Sequence, residues 1–212
     1  MLKKVVAGAG VALAALGSPI AMGAGVATAA PPSSTLTGAV NCVATGQLKF
    51  SQSLTNTDPT AQVAVALKVR LAKCTGPGTT SGPVTLKYGT LVATSATTML
   101  NACGTISSNV PLPTLTGTVI WKGRKGTITS STVTVTGATG FYDQGANVLH
   151  VRLPTSIGTG SYAGETTTFT GLDSDKNGYL LTSTCSGRKG LKVFDFGRPS
   201  GTVTGSLAIV GG

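Results

Sequence analysis

Charge is scarce in this chain. Asp, Glu, Lys and Arg make up 10% of its 212 residues, against about 25% in an average soluble protein. Aromatic residues account for 5%, and there is one histidine, His150. Each shortage weighs against a class of function. A Ser-His-Asp triad would have to use His150, which the alternation of Asn147-Val148-Leu149-His150-Val151-Arg152-Leu153 puts opposite Leu149, Val151 and Leu153, the place of a surface or edge-strand residue. No Gly-x-Ser-x-Gly elbow accompanies it. A single Trp leaves little platform for stacking bases, so no nucleic-acid partner is expected. Glycoside hydrolysis needs two facing carboxylates. The six on offer are Asp58, Asp143, Glu165, Asp173, Asp175 and Asp195, of which only Glu165 and Asp195 sit in strand patterns where folding could bring them together.

Helical signal is equally thin. Thr and Gly are too frequent for stable helices, and only 96–102 offers a helical turn. Alternation dominates instead. Val63, Val65, Leu67, Val69 and Leu71 share one face of a strand, with Ala64, Ala66, Lys68 and Arg70 on the other. Period-2 runs recur at 84–86, 118–121, 132–136, 148–153, 166–170, 179–185, 191–196 and 202–209, punctuated by Gly, Pro, Asn or Asp. The pattern predicts an all-β fold, a single antiparallel β-sandwich of about nine to eleven strands, with a closed β-barrel as the alternative. Its expected core contains Val63, Val65, Leu67, Val69, Trp121, Val133, Val135, Leu149, Val151 and Phe169.

The chain opens on Met1-Leu2-Lys3-Lys4, continues through an apolar stretch rich in Ala, Gly and Val, and reaches Ala27-Thr28-Ala29 before Ala30-Pro31-Pro32. A basic start, an apolar middle and small residues at the end are the three parts of a secretory signal peptide. Residues 1–29 are therefore expected to be a leader, and 30–212 one exported domain that does not span the membrane once the leader is removed. Losing Lys3 and Lys4 leaves 14 of the 16 basic residues against 6 acidic ones, a formal charge of +8.

Cys42, Cys74, Cys103 and Cys185 all lie beyond the leader. An even number in an exported chain argues for disulfides, and the wide spacing with one His argues against zinc. The pairs expected are Cys42 with Cys74 and Cys103 with Cys185. Asp173-Ser174-Asp175-Lys176-Asn177-Gly178 copies the start of an EF-hand loop, but Thr184 stands where a bidentate Glu belongs. Asn177-Gly178 between alternating runs reads better as a hairpin turn. No cofactor or metal is expected. Leu112-Pro113-Thr114-Leu115-Thr116-Gly117 has one residue too many for a wall-sorting signal and lies mid-chain, which points to release or non-covalent retention.

Several segments together resemble a group of secreted actinobacterial proteins with no assigned activity. They are the leader, the Thr37-to-Cys42 start, Leu71-Ala72-Lys73-Cys74-Thr75-Gly76, the 117–121 strand followed by Ser131-Thr132-Val133, and Cys185 leading into 190–194. The resemblance covers nearly all the chain after the leader, and it implies an exported β-sandwich without implying a reaction.

Two basic loops echo each other, Lys122-Gly123-Arg124-Lys125-Gly126 and Gly187-Arg188-Lys189-Gly190-Leu191-Lys192. If they fall at one end of the domain, Lys122, Arg124, Lys125, Arg188, Lys189 and Lys192 form one positive patch suited to an acidic envelope polymer or another anionic surface. The expected function is thus a secreted or cell-surface-associated non-enzymatic protein, structural or binding. The alternatives are a secreted hydrolase with a carboxylate site and a β-barrel pore, the last requiring strands apolar outside and polar inside.

Overall fold

The computed structural model describes residues 33–55, 60–103, 110–143, 148–173, 190–196 and 205–210. Within these, the chain is all-β, with one short 3-10 turn at Pro77–Thr79. The strands are β1 (Val40–Leu54), β2 (Gln62–Val63), β3 (Val65–Thr75), β4 (Thr80–Ser81), β5 (Val84–Ser95), β6 (Met99–Leu100), β7 (Leu115–Arg124), β8 (Ser131–Val135), β9 (Thr139–Asp143), β10 (Val148–Thr159), β11 (Thr166–Asp173), β12 (Leu191–Phe196) and β13 (Gly205–Val210). The helical turn expected at 96–102 is replaced by β6, which pairs with β2. The leader, the 174–178 turn and Cys185 lie outside the described residues.

The expected pair of stacked sheets is not what the hydrogen bonding forms. One antiparallel sheet carries nearly every strand, and its pairings run β1–β3–β5–β7–β8–β10–β11–β13 and return to β1. The sheet curls until β13, the last described strand, meets β1, the first. Long strands make this possible by sharing an edge. β1 gives residues 40–44 to β13 and the rest of that edge to β12, while β10 divides an edge between β8 and β9. Curling also needs room on the concave side, and glycine supplies it. Gly89 is paired with Trp121, and a Cβ there would lie 2.6 Å from the indole ring. Gly46 is paired with Phe196, and a Cβ would lie 2.7 Å from that ring. Each aromatic ring lies across the backbone of a glycine on the next strand.

Two bulges keep the apolar residues inside. Along β3 the inner positions are Val65, Leu67, Val69 and Leu71, so strict alternation would turn Lys73 inward and Cys74 outward. The β1–β3 register slips by one between Asn41 and Val43, and Lys73 takes the left-handed conformation, φ 50°. The lysine is thereby left exposed, and Cys74 turns in to bond Cys42. A second slip between Leu86 and Tyr88 resets β5, so Val84 and Leu86 before it and Leu91 and Ala93 after it all face the core.

Of the expected core residues, Val63, Val65, Leu67, Val69, Trp121, Val133, Val135 and Val151 are buried. Leu149 and Phe169 lie on β10 and β11, and their side chains are outside the description. Leu48, Phe50, Leu91, Leu115, Leu153, Phe194 and Phe196 are among the further buried residues. Cys103 is buried and in a disulfide as well.

The end of the ring near Val40 is closed by a polar chain. Trp121 Nε1 donates to Ser131 Oγ at 2.7 Å, and Ser131 Oγ donates to the Ser161 carbonyl at 2.5 Å. The Leu36 amide donates to Ser161 Oγ, and the Tyr162 amide to the Leu36 carbonyl. The Tyr162 hydroxyl reaches the Gly78 carbonyl at 2.7 Å, while its ring meets Trp121 edge-on at 5.1 Å. Among the described residues no buried side-chain N or O atom lacks a partner, as a buried network requires.

Burial pushes the Tyr162 phenol above its ordinary value of 10.0. The folded state therefore holds this proton at a pH where the unfolded chain has released it. Stability from this group is full below about pH 10 and falls as pH rises further. Urea unfolding on either side of that pH is expected to show a steep alkaline loss that Tyr162→Phe flattens; equal slopes would count against it.

Candidate anion-binding face

Most apolar residues point inward, with Val92, Ile120 and Val193 exposed on the outer face, and the polar outward positions carry the chemistry. Register aligns them into rows across four strands. Thr45 on β1 pairs with Arg70 on β3, which pairs with Thr90 on β5, which pairs with Ile120 on β7. One row along, Gln47 stands between Asp195 on β12 and Lys68 on β3, and Lys68 pairs with Val92 on β5. Lys49 pairs with Val193 and Ala66, and Tyr88 pairs with Lys122. Directly paired residues have Cβ atoms about 4.5–5.5 Å apart. Lys49, Lys68, Arg70, Lys122 and Arg124 are all exposed, and together they make this outer face basic.

The only carboxylates with described side chains are Glu165 and Asp195. Asp195 belongs to this face, while Glu165 sits in the turn before β11. Thr45, Gly46, Gln47, Lys68, Arg70, Thr90 and Asp195 line a cleft of about 450 Å³. It lies where β1 passes from pairing with β13 to pairing with β12. Arg70 is anchored there, its guanidinium lying 4.8 Å from the centre of the Tyr88 ring. A cation held over an aromatic face loses little further freedom when it binds an anion.

Four of the six residues of the expected loop patch are described, and they fall at two ends of the sheet. Lys122 and Arg124 end β7, and Lys125 follows in the hairpin with φ 59°, all near the end of the ring where β1 begins. Lys192 follows Leu191, which pairs with Leu54 at the far end of β1. Gly190 is held there too, since a Cβ on it would lie 2.5 Å from the Leu54 carbonyl. Arg188 and Lys189 lie outside the described residues. Lys68, Arg70, Lys49 and Tyr88 were absent from the sequence-based patch, although the alternation of 61–71 already turned Lys68 and Arg70 away from the core.

The cleft holds one carboxylate among its described lining residues, whereas the hydrolase reading needs two. His150 is on β10, paired with Phe141 and Leu172. No cluster of three or more His, Cys, Asp or Glu suited to a metal occurs among the described residues. No helix among them is long and apolar enough to cross a membrane. No protein-family model, no curated protein and no solved structure matches the chain, so the face is read from its own chemistry.

Proposed function

We propose that this chain is an exported, non-enzymatic protein that holds acidic cell-envelope polymer on the outer face of β1, β3, β5 and β7. The observation that carries this reading is the alignment of Lys49, Lys68, Arg70, Lys122 and Arg124 on one exposed surface beside a single described carboxylate. Export rests on the leader-like start, the resemblance to secreted actinobacterial proteins and the disulfide chemistry. A second disulfide, Cys103 with Cys185, belongs to the same proposal. The polarity of the strands, apolar inside and Thr- and Lys-rich outside, favours this reading over a pore, whose outer face would meet lipid.

Exposed charges act weakly and are screened beyond a Debye length of about 8 Å at physiological ionic strength. The protein is therefore expected to sediment with purified envelope polymer at low salt and to elute as salt rises. A triple variant, Lys68→Ser, Arg70→Ser and Lys122→Ser, is expected to weaken low-salt binding by at least about tenfold, since each of several charge contacts contributes. Equal binding by wild type and triple variant at every salt concentration would remove the proposal.

A further inference from the structure

We infer that the basic face is a diagonal track that takes a linear polyanion lengthwise, so that the partner is an extended chain and neither a small anion nor a flat anionic membrane. The inference rests on the proposed anion-binding role and gives it a direction and a length. Lys49 on β1 pairs with Ala66, two residues before Lys68 on β3, and Arg70 is two residues further along β3. Arg70 pairs with Thr90, two residues beyond Tyr88 on β5, and Tyr88 pairs with Lys122 on β7, two residues before Arg124. Each cation is thus displaced in the same sense from the one before, across the strands, along them or both. Neighbouring strands lie about 4.8 Å apart and each residue advances about 3.3 Å, so the line from Lys49 to Arg124 runs about 30 Å, slanted about 30° from the strands.

The longest step on the line, from Arg70 to Lys122, crosses β5. Tyr88 stands in that gap, and its ring holds the Arg70 guanidinium 4.8 Å from its centre, which draws the charge toward the middle of the step. Lys87, exposed at the bulge beside Tyr88, adds a cation there. The corners of the face off the line are uncharged, with Val43 and Thr45 on one side and Thr94, Thr116 and Thr118 on the other. Asp195 is on β12, beside the line, and pairs with Gln47. A bilayer would reward cations spread to both sides, whereas a chain charged along its length needs them only in file. Once one charge of such a chain is held, each further contact forms within the complex, at the high effective concentration that a short tether gives.

The test is a binding titration of the full exported chain with inorganic polyphosphate graded in length, from tripolyphosphate to chains longer than the track, and with phosphatidylglycerol vesicles. Affinity is expected to rise with length until the chain spans the track and then to level off. Lys49→Ser and Arg124→Ser, at its two ends, should each weaken long-chain binding by about threefold and together by about tenfold. Tripolyphosphate, which the Lys68 and Arg70 centre still holds, should change by less than about twofold. Each end variant should also flatten the salt dependence of long-chain binding, because fewer counterions leave the polymer. Arg152→Ser removes the same charge from β10, off the face, and should change neither affinity nor salt dependence. If length makes no difference, or if Arg152→Ser weakens binding as much as the end variants, the track is overturned, and the broader face stands where the triple serine variant still loses polyanion binding. If the triple variant binds every probe like wild type, both fall. Tighter binding of the vesicles than of long chains would overturn the track in favour of a membrane surface.

Discussion

Trp121→Ala is expected to destabilise the protein by about 3–5 kcal/mol, the range for truncating a buried large aromatic. Trp121 is 3% exposed, covers Gly89 on the neighbouring strand, packs edge-on against Tyr162 and donates to Ser131. Its removal leaves a cavity that Gly89 cannot fill, because glycine has no side chain to move into it. Trp121→Phe separates the contributions. It keeps most of the ring and removes the Nε1 donor, at an expected cost of about 1–2 kcal/mol. The measurement is the urea midpoint followed by far-UV circular dichroism, because this is the only Trp in the chain and its fluorescence is lost in both variants. A Trp121→Ala midpoint within about 0.5 kcal/mol of wild type, the range of ordinary surface changes, would refute the assignment of this residue as the keystone of the ring's closed end.

The Cys42–Cys74 bond carries the second large effect. It spans a sequence separation of 32, for which the chain-entropy model gives about 3–4 kcal/mol through restriction of the unfolded chain. The double variant Cys42→Ala, Cys74→Ala is expected to lose that much in urea unfolding under non-reducing conditions. Reducing the wild type should cost more, because Cys103 is in a disulfide too. Peptide mapping of unreduced protein should return Cys42 linked to Cys74 and Cys103 linked to Cys185. A different pairing, or a double variant as stable as wild type, would contradict this account. The bond also depends on the bulge beside it, since only the left-handed Lys73 lets Cys74 face inward.

How far the residues could be read in advance varied from strand to strand. β3 was legible because Val65, Leu67, Val69 and Leu71 alternate without interruption, and all four are buried. β1 was not, although it is the longest strand and touches β3, β12 and β13. Its inward positions include the small residues Cys42, Ala44 and Gly46, and its outward ones include Val43, so the contrast between faces is weak. In β5 the run was recognised only at 84–86, because the slip at Tyr88 reverses the phase of the remainder. The 96–102 segment was read as a possible turn of helix because Met and Leu are good helix formers, but pairing with β2 made Met99 and Leu100 a strand. The candidate face was half legible. Alternation turned Lys68 and Arg70 outward, yet alternation concerns one strand at a time and names no neighbours.

What the amino-acid sequence determined by itself is therefore local. The abundance of Thr, Val and Gly with period-2 alternation favours strands and disfavours helices beyond the leader, and the polarity of each run decides which side chains leave water. Tertiary structure decided everything that depends on register between strands far apart in the chain. Pairing of β1 with β13, from opposite ends of the described chain, closed one curled sheet, the bulge at Lys73 kept that lysine in solvent, and the β1–β12 register sent Lys192 to the end opposite Lys122 while bringing Asp195, Gln47 and Lys68 into one row. The physical reason is that a strand's own pattern specifies an inside and an outside, whereas its neighbours and their offset follow from packing all the inner faces at once, so a charge pattern shared by four strands exists only after the sheet has closed.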